Sequence, residues 1–200
     1  DSFPGVVVKK YNNIEAFNPK IPLISASELD GLFYPEYGLF PRNVVDTIPA
    51  FYPLLTSRGC AYSCTYCSVS IISGRGVRRR SVRSIIDELK WAQKRYGINS
   101  FWIADDVFNF DIERCKDFCR TLMLEDMVMP WSCPNGLRAD RVDRELAKLM
   151  FESGCHSVMF GIESVIPQIL EGVKKREDIE AIERGIRIFQ DAGIRVGGYF

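Results

Sequence analysis

The stretch SVRSIIDELKWAQKRYGINSFWI, Ser81–Ile103, decides how this 200-residue chain folds. Ser81 suits a helix N-cap, because its hydroxyl can accept from a backbone N–H that the first turn leaves free. Val82, Ile85, Ile86, Leu89 and Tyr96 recur at helical spacing, and Gly97 is the residue that closes such a helix. Almost at once the pattern changes. Ser100-Phe101-Trp102-Ile103 is short, apolar and aromatic, as a buried strand is. A helix running directly into a buried strand is half of a βαβ unit.

The same unit recurs on either side. Leu54 to Ser57 supplies an earlier strand. Asp111 opens a second helix with Ile112, Cys115, Cys119 and Leu122 on one face, and Trp131 to Pro134 follows as the third strand. Asp143 caps a third helix, with Leu146, Leu149 and Met150, that runs to Gly154. Ser157-Val158-Met159-Phe160 is the fourth strand. Ile179, Ile182, Ile186 and Phe189 define a fourth helix ended by Gly193, although Gly185 inside it costs about 1 kcal/mol relative to Ala. Ile194 to Phe200 begins a fifth strand. This alternation predicts an α/β fold with a parallel sheet. Right-handed crossovers then place every strand's C-terminal end on one side, where barrels of this kind carry their active sites.

Arg58-Gly59-Cys60-Ala61-Tyr62-Ser63-Cys64-Thr65-Tyr66-Cys67 follows the first strand, with cysteines spaced Cys-x3-Cys-x2-Cys. Thiolates select zinc, copper(I) or iron–sulfur clusters. A structural zinc takes four ligands in a closed tetrahedron, and a cluster that only carries electrons takes four cysteines. Three cysteines leave one iron of a four-iron cluster open to a small molecule, which points to chemistry rather than scaffolding. A zinc loop stays open as the alternative, with Cys133, Cys155 or His156 as fourth ligand. Against His156, the single histidine, stands its place at the start of a strand, away from the cysteine end. Cys115, Cys119, Cys133 and Cys155 fit core packing.

Other polar clusters also follow strand ends. Asp105-Asp106, after the second strand, suits an ammonium group or the start of the next turn. Arg138, in Asn135-Gly136-Leu137-Arg138-Ala139-Asp140, offers a planar fork either to a ligand carboxylate or to Asp140. Glu163-Ser164 follows the fourth strand, where Glu163 can cap the next turn. Clusters that arose independently need not have met on one rim, so their agreement supports the parallel sheet.

Lys and Arg (26) balance Asp and Glu (26), so no global charge argues for nucleic acid or an anionic membrane. Arg75, Arg78, Arg79, Arg80 and Arg83 form a local basic run. With no aromatics interleaved, it reads as a solvated rim, one or two of whose arginines balance an anionic centre, rather than an RNA footprint. There is no charged-then-apolar leader and no apolar run of about 18 residues, so no membrane span is expected. Seven cysteines, an odd number at metal spacing, argue against disulfides and for a reducing cytoplasm. Before Pro53 the texture differs: prolines alternate with aromatics, which forbids long helices or central strands. Val6-Val7-Val8 and Ile14 to Phe17, around Asn12-Asn13, predict a β-hairpin. Asn18 to Pro49 predicts an irregular strap pinned by its aromatic side chains.

Cys60, Cys64 and Cys67, with Tyr66 before the last cysteine, resemble the signature loop of the radical S-adenosylmethionine (SAM) superfamily. The resemblance covers 51–200 and implies a partial, open (β/α)6 barrel, TIM-barrel-like, truncated at its fifth strand. It implies a 4Fe-4S cluster on Cys60, Cys64 and Cys67 whose open iron is chelated by SAM. The reduced cluster passes an electron to the sulfonium and releases a 5′-deoxyadenosyl radical, which abstracts a hydrogen atom. Tyr66 would lie beside the adenine, Asp105 and Asp106 at the methionine amino group, Arg138 at its carboxylate, and Glu163 and Ser164 at the ribose. The family often carries Gly-Gly-Glu where Asp105-Asp106 stands and a Gly where Val165 stands, so those two loops depart from its pattern. Residues 1–50 resemble the connector from an N-terminal cobalamin-binding domain, absent here. That branch includes methyltransferases and ring-forming or rearranging enzymes, and implies cobalamin, a small-molecule substrate and an electron donor such as flavodoxin or ferredoxin. A transfer-RNA methylthiotransferase and a non-enzymatic zinc-stabilised interaction domain are the competing readings.

Overall fold

The computed structural model describes residues 7–10, 13–16 and 22–200. Its centre is a parallel sheet of five strands: β1 (Tyr52–Leu54), β2 (Phe101–Ile103), β3 (Trp131–Leu137), β4 (Cys155–Gly161) and β5 (Arg195–Tyr199). They lie side by side in chain order, each paired parallel to the next. β1 and β5 are edges, so the sheet is open. Between the strands run α1 (Val82–Tyr96), α2 (Ile112–Leu124), α3 (Arg144–Glu152), α4 (Pro167–Gly172) and α5 (Ile179–Asp191). The expected α/β architecture is present.

Local chemistry sets the helix starts. Ser81 accepts from the Ser84 amide (3.1 Å), Asp111 from Arg114 (3.2 Å), Asp143 from Leu146 (2.7 Å) and Asp178 from Ala181 (2.6 Å). The core between sheet and helices is aromatic. Trp131 stacks on Phe101 with centroids 5.7 Å apart and meets Phe118 edge-on at 5.9 Å. Cys115, Cys119, Cys133 and Cys155 are buried in this layer, as expected, and burial pushes all four thiols up.

The third strand runs on to Leu137 where the sequence reading ended it at Pro134, and two further features differ from that reading. The first strand covers Tyr52–Leu54 rather than Leu54 to Ser57; beyond it, Ser57–Arg58 forms a separate antiparallel ladder with Arg78–Arg79. Pro53 is tolerated because β1 is an edge strand. The second feature is α4, which no periodicity announced because Leu170 is its one buried residue.

The hairpin is present in the backbone, with Val7–Lys10 antiparallel to Asn13–Ala16; Val6, Asn12 and Phe17 lie outside the described residues. The strap is made of short helical turns, Ala26–Leu29, Tyr37–Leu39, Arg42–Val45 and Ile48–Ala50. Its tyrosines pin it to α1, Tyr34 lying 5.3 Å from Trp91 and Tyr37 5.8 Å from Tyr96 between centroids. Phe33 and Phe40 are exposed, Phe40 lying 6.0 Å from Tyr37 within the strap. No helix among the described residues is long and apolar enough to cross a membrane.

A buried polar knot ties β1 to α1. The Tyr52 hydroxyl donates to Glu88 Oε1 at 2.7 Å, and Arg80 pairs with the other oxygen. Burial and the neighbouring Glu88 charge push the Tyr52 phenol up. Glu88→Ala strands a buried guanidinium and a buried hydroxyl, and is expected to cost about 3–5 kcal/mol in urea denaturation.

Candidate active site

The C-terminal ends of the strands enclose a cavity of about 340 Å3. Cys60, Cys64, Tyr66 and Cys67 line it from the loop after β1, Asp106 from β2, Asn135 and Gly136 from β3, and Gly161 and Glu163 from β4. β3 makes this possible by bulging between Cys133 and Leu137, where Pro134 interrupts the ladder.

The cysteine loop is built from its first residue. Gly59 has φ +87°, and a Cβ there would fall on the Gly76 carbonyl oxygen. Its N–H donates to Asp106 Oδ2 at 2.8 Å, so the second-strand carboxylate fixes where the loop departs. Tyr62 anchors the middle. The Arg138 guanidinium lies 3.7 Å over its ring, and its hydroxyl accepts from Arg141 Nε at 2.6 Å. The Thr65 amide donates to the Val173 carbonyl (3.0 Å), tying the loop to the end of α4. Cys60 and Cys64 are half-buried and Cys67 exposed; burial pushes the Cys60 thiol up. Gly59→Ala is therefore expected to lower iron incorporation several-fold on reconstitution, read as iron per chain, because both the turn and the Asp106 bond fail.

Three residues expected at a ligand make hydrogen bonds within the protein, two of them, Asp105 and Arg138, while lining the cavity. Asp105 is 1% exposed, and its carboxylate accepts from the Thr56 amide (2.6 Å), the Thr56 hydroxyl (2.5 Å) and the Ser57 hydroxyl (2.6 Å). Burial pushes this carboxyl up while those hydrogen bonds pull it down. It joins the end of β1 to β2. Arg138 spends most of its donors within the protein: Nε and one terminal nitrogen reach Asp140 (2.9 and 3.1 Å), and the terminal nitrogens also reach the carbonyls of Lys175 and Arg176 (both 2.9 Å). Ser164 turns away, its hydroxyl accepting from the Ile166 amide at 3.0 Å.

Glu163 does face the cavity, in a left-handed conformation (φ 63°) at the end of β4. Burial, with the neighbouring Glu163 carboxylate, pushes the Tyr66 phenol up. Lys175 Nζ approaches Glu163 Oε1 at 3.4 Å. Sequence reasoning missed Lys175, and missed Asn109, whose amide donates to the Arg138 and Arg141 carbonyls (2.7 and 2.8 Å) and holds the β3 turn. No motif marks either residue. The arginine run is mostly spent locally: Arg78 bonds the Ile24 carbonyl (2.7 Å), Arg79 pairs with Asp111, Arg80 with Glu88 and Arg83 with Asp87. None of these four lines the cavity, so they are not a rim around the cysteines.

Among the described residues no three His, Cys, Asp or Glu side chains approach closely enough to share one metal ion. The fourth ligands weighed for zinc are remote in kind: Cys133 and Cys155 are core residues, and His156 sits at the opposite end of β4. Three thiols facing one cavity instead suit a cluster, in which each thiolate meets its own iron.

The Radical SAM superfamily matches residues 54–200. The chain belongs to the radical SAM superfamily. Over its whole length it is 33% identical, across 229 aligned residues, to cytidylyl-2-hydroxyethylphosphonate methyltransferase of Streptomyces wedmorensis, 42% of which it covers. It is similar to the radical SAM methyltransferase TsrM of Kitasatospora setae, solved with cobalamin and a 4Fe-4S cluster, with TM-score 0.63 and 25% identity over 73% of this chain and 30% of that one. The cobalamin-dependent radical enzyme OxsB, solved with aqua-cobalamin and SAM, shares the fold at TM-score 0.75 and 20% identity over 98% of this chain and 29% of that one. The radical SAM chain described here thus spans less than half the length of these relatives. Members of this superfamily use a 4Fe-4S cluster and SAM.

Proposed function

We propose that this chain is the radical-generating core of a cobalamin-associated methyltransferase, with Cys60, Cys64 and Cys67 holding the cluster. The observation that carries it is the convergence of three thiols, Tyr66 and Glu163 on one cavity, with the other four cysteines consumed by the core. When bound, cluster and SAM supply one-electron cleavage of the sulfonium to methionine and a 5′-deoxyadenosyl radical. The protein's part is position and shelter. Gly59, Asp106 and Tyr62 set the path of the cysteine loop. Glu163 offers acceptors to the ribose hydroxyls, and Tyr66 covers the adenine side.

Residues 1–50 act as the connector from a cobalamin-binding domain, and 51–200 as the core. The substrate is a small molecule, the electron donor a flavodoxin or ferredoxin, and the setting a reducing cytoplasm. The methylthiotransferase reading stays the alternative, although four arginines of the basic run that favoured it are paired with neighbouring carboxylates and carbonyls. Anaerobic incubation of the reconstituted protein with reductant and SAM is expected to release 5′-deoxyadenosine. A cluster-loaded protein that releases none contradicts the proposal.

A further inference from the structure

Lys175 is buried, with 9% of its side chain exposed, yet it lines the cavity and is held between two carboxylates. Its ammonium lies 3.4 Å from Glu163 Oε1 on the cavity side and 3.4 Å from Glu177 Oε2 behind it. Glu177 has a fully buried side chain. One of its oxygens accepts from the Ala139 amide at 2.6 Å, and the other receives no hydrogen bond. A carboxylate, an ammonium and a second carboxylate therefore form a line from the end of β3 to the cavity wall.

The backbone is shaped to hold that line. Lys174 and Arg176, on either side of Lys175, both adopt left-handed conformations (φ 56°), which non-glycine residues rarely do without constraint. Arg138 supplies the constraint through the carbonyls of Lys175 and Arg176. Gly161 supplies the room: a Cβ there would meet Lys175 Nζ at 2.7 Å and Glu163 Oε1 at 3.0 Å. Arg138 thus works as the clamp that aims Lys175.

We propose that Lys175 is the positioning residue for Glu163: its ammonium, tethered from behind by Glu177, keeps the Glu163 carboxylate turned to the vicinal hydroxyls of the nucleoside half of SAM. The proposal rests on the radical SAM reading above. An ionised carboxylate has about four acceptor sites, so the contact with Lys175 leaves capacity for two hydroxyls. Lys175 touches no reacting atom in this scheme and acts through Glu163.

The test is anaerobic titration calorimetry of the reconstituted full chain with 5′-deoxyadenosine and, separately, with SAM. Lys175→Met is expected to weaken both by roughly tenfold, the scale seen for residues coupled in one network. Lys175→Arg should recover most of the loss. Combining Glu163→Gln with Lys175→Met should be no weaker than Glu163→Gln alone, because the lysine then has nothing to position. Should Lys175→Met fold poorly around an uncompensated Glu177, Lys175→Met combined with Glu177→Gln removes that charge and is expected to fold without regaining affinity. Unchanged or tighter binding by the lysine variants, or losses that multiply in the Glu163 double variant, overturns the proposal while leaving the radical SAM reading intact. A cluster-loaded wild-type chain that binds neither ligand overturns both.

Discussion

Replacing Cys60, Cys64 or Cys67 by alanine is expected to abolish the iron–sulfur cluster and leave the fold standing. The reconstituted protein should hold about four irons per chain, and each variant close to none, since a three-thiolate site has no spare ligand. Release of 5′-deoxyadenosine should fall to background with it. Stability should hardly change, because Cys67 is exposed and the loop's anchors lie elsewhere: the Gly59 amide on Asp106, Tyr62 under Arg138, and the Thr65 amide on Val173. Cys115→Ala supplies the opposite signature. That thiol is buried in the aromatic layer and donates to the Phe108 carbonyl at 3.2 Å, so its loss should cost about 1–3 kcal/mol while the cluster is retained. Iron content and a denaturation curve for each variant separate the two kinds of cysteine.

The second large effect belongs to Asp105. As a ligand for the methionine amino group it would be dispensable to folding, and its removal would show only as weaker SAM binding. As a buried acceptor of three hydrogen bonds from Thr56 and Ser57 it is structural. Its loss leaves the buried Thr56 amide and two hydroxyls without their acceptor, each such group costing about 1–3 kcal/mol. Arg114 is caught in the same failure, since it donates to the Thr56 carbonyl at 2.8 Å and is itself largely desolvated. Asp105→Ala is therefore expected to lower stability by about 3–5 kcal/mol, measured in urea, and Asp105→Asn by somewhat less. Asp106→Asn makes the useful contrast. Its carboxylate holds one amide at the loop's first turn, so iron retention should suffer more than global stability.

How much of this was readable beforehand depended on range. Helix starts at Ser81, Asp111 and Asp143 were legible because a cap and its amide are three residues apart. The second and fourth strands were legible because Phe101-Trp102-Ile103 and Val158-Met159-Phe160 are short apolar runs. The cysteine loop was legible because its three ligands share one local segment. Arg138 and Asp105 were placed on the rim, and Arg138 was given Asp140 as one of two partners, but most of their protein partners could not be named. A sequence shows which charged groups reach a strand end, but not that Lys175 and Arg176 bring two carbonyls to Arg138, or that β1 turns Thr56 and Ser57 onto Asp105. Lys175 was hidden for the same reason, since its meaning comes from Glu163 and Glu177 together. α4 escaped because a six-residue helix with one buried side chain carries no period to detect.

The central claim is that Cys60, Cys64 and Cys67 hold a four-iron cluster with one iron open to SAM. Electron paramagnetic resonance of the anaerobically reconstituted, reduced chain, recorded with and without SAM, tests it most directly. The expected result is a reduced 4Fe-4S signal that changes when SAM is added and is missing from the Cys60→Ala variant. A chain that forms no cluster and instead holds one tightly bound zinc contradicts it and leaves the three cysteines as part of a structural metal loop.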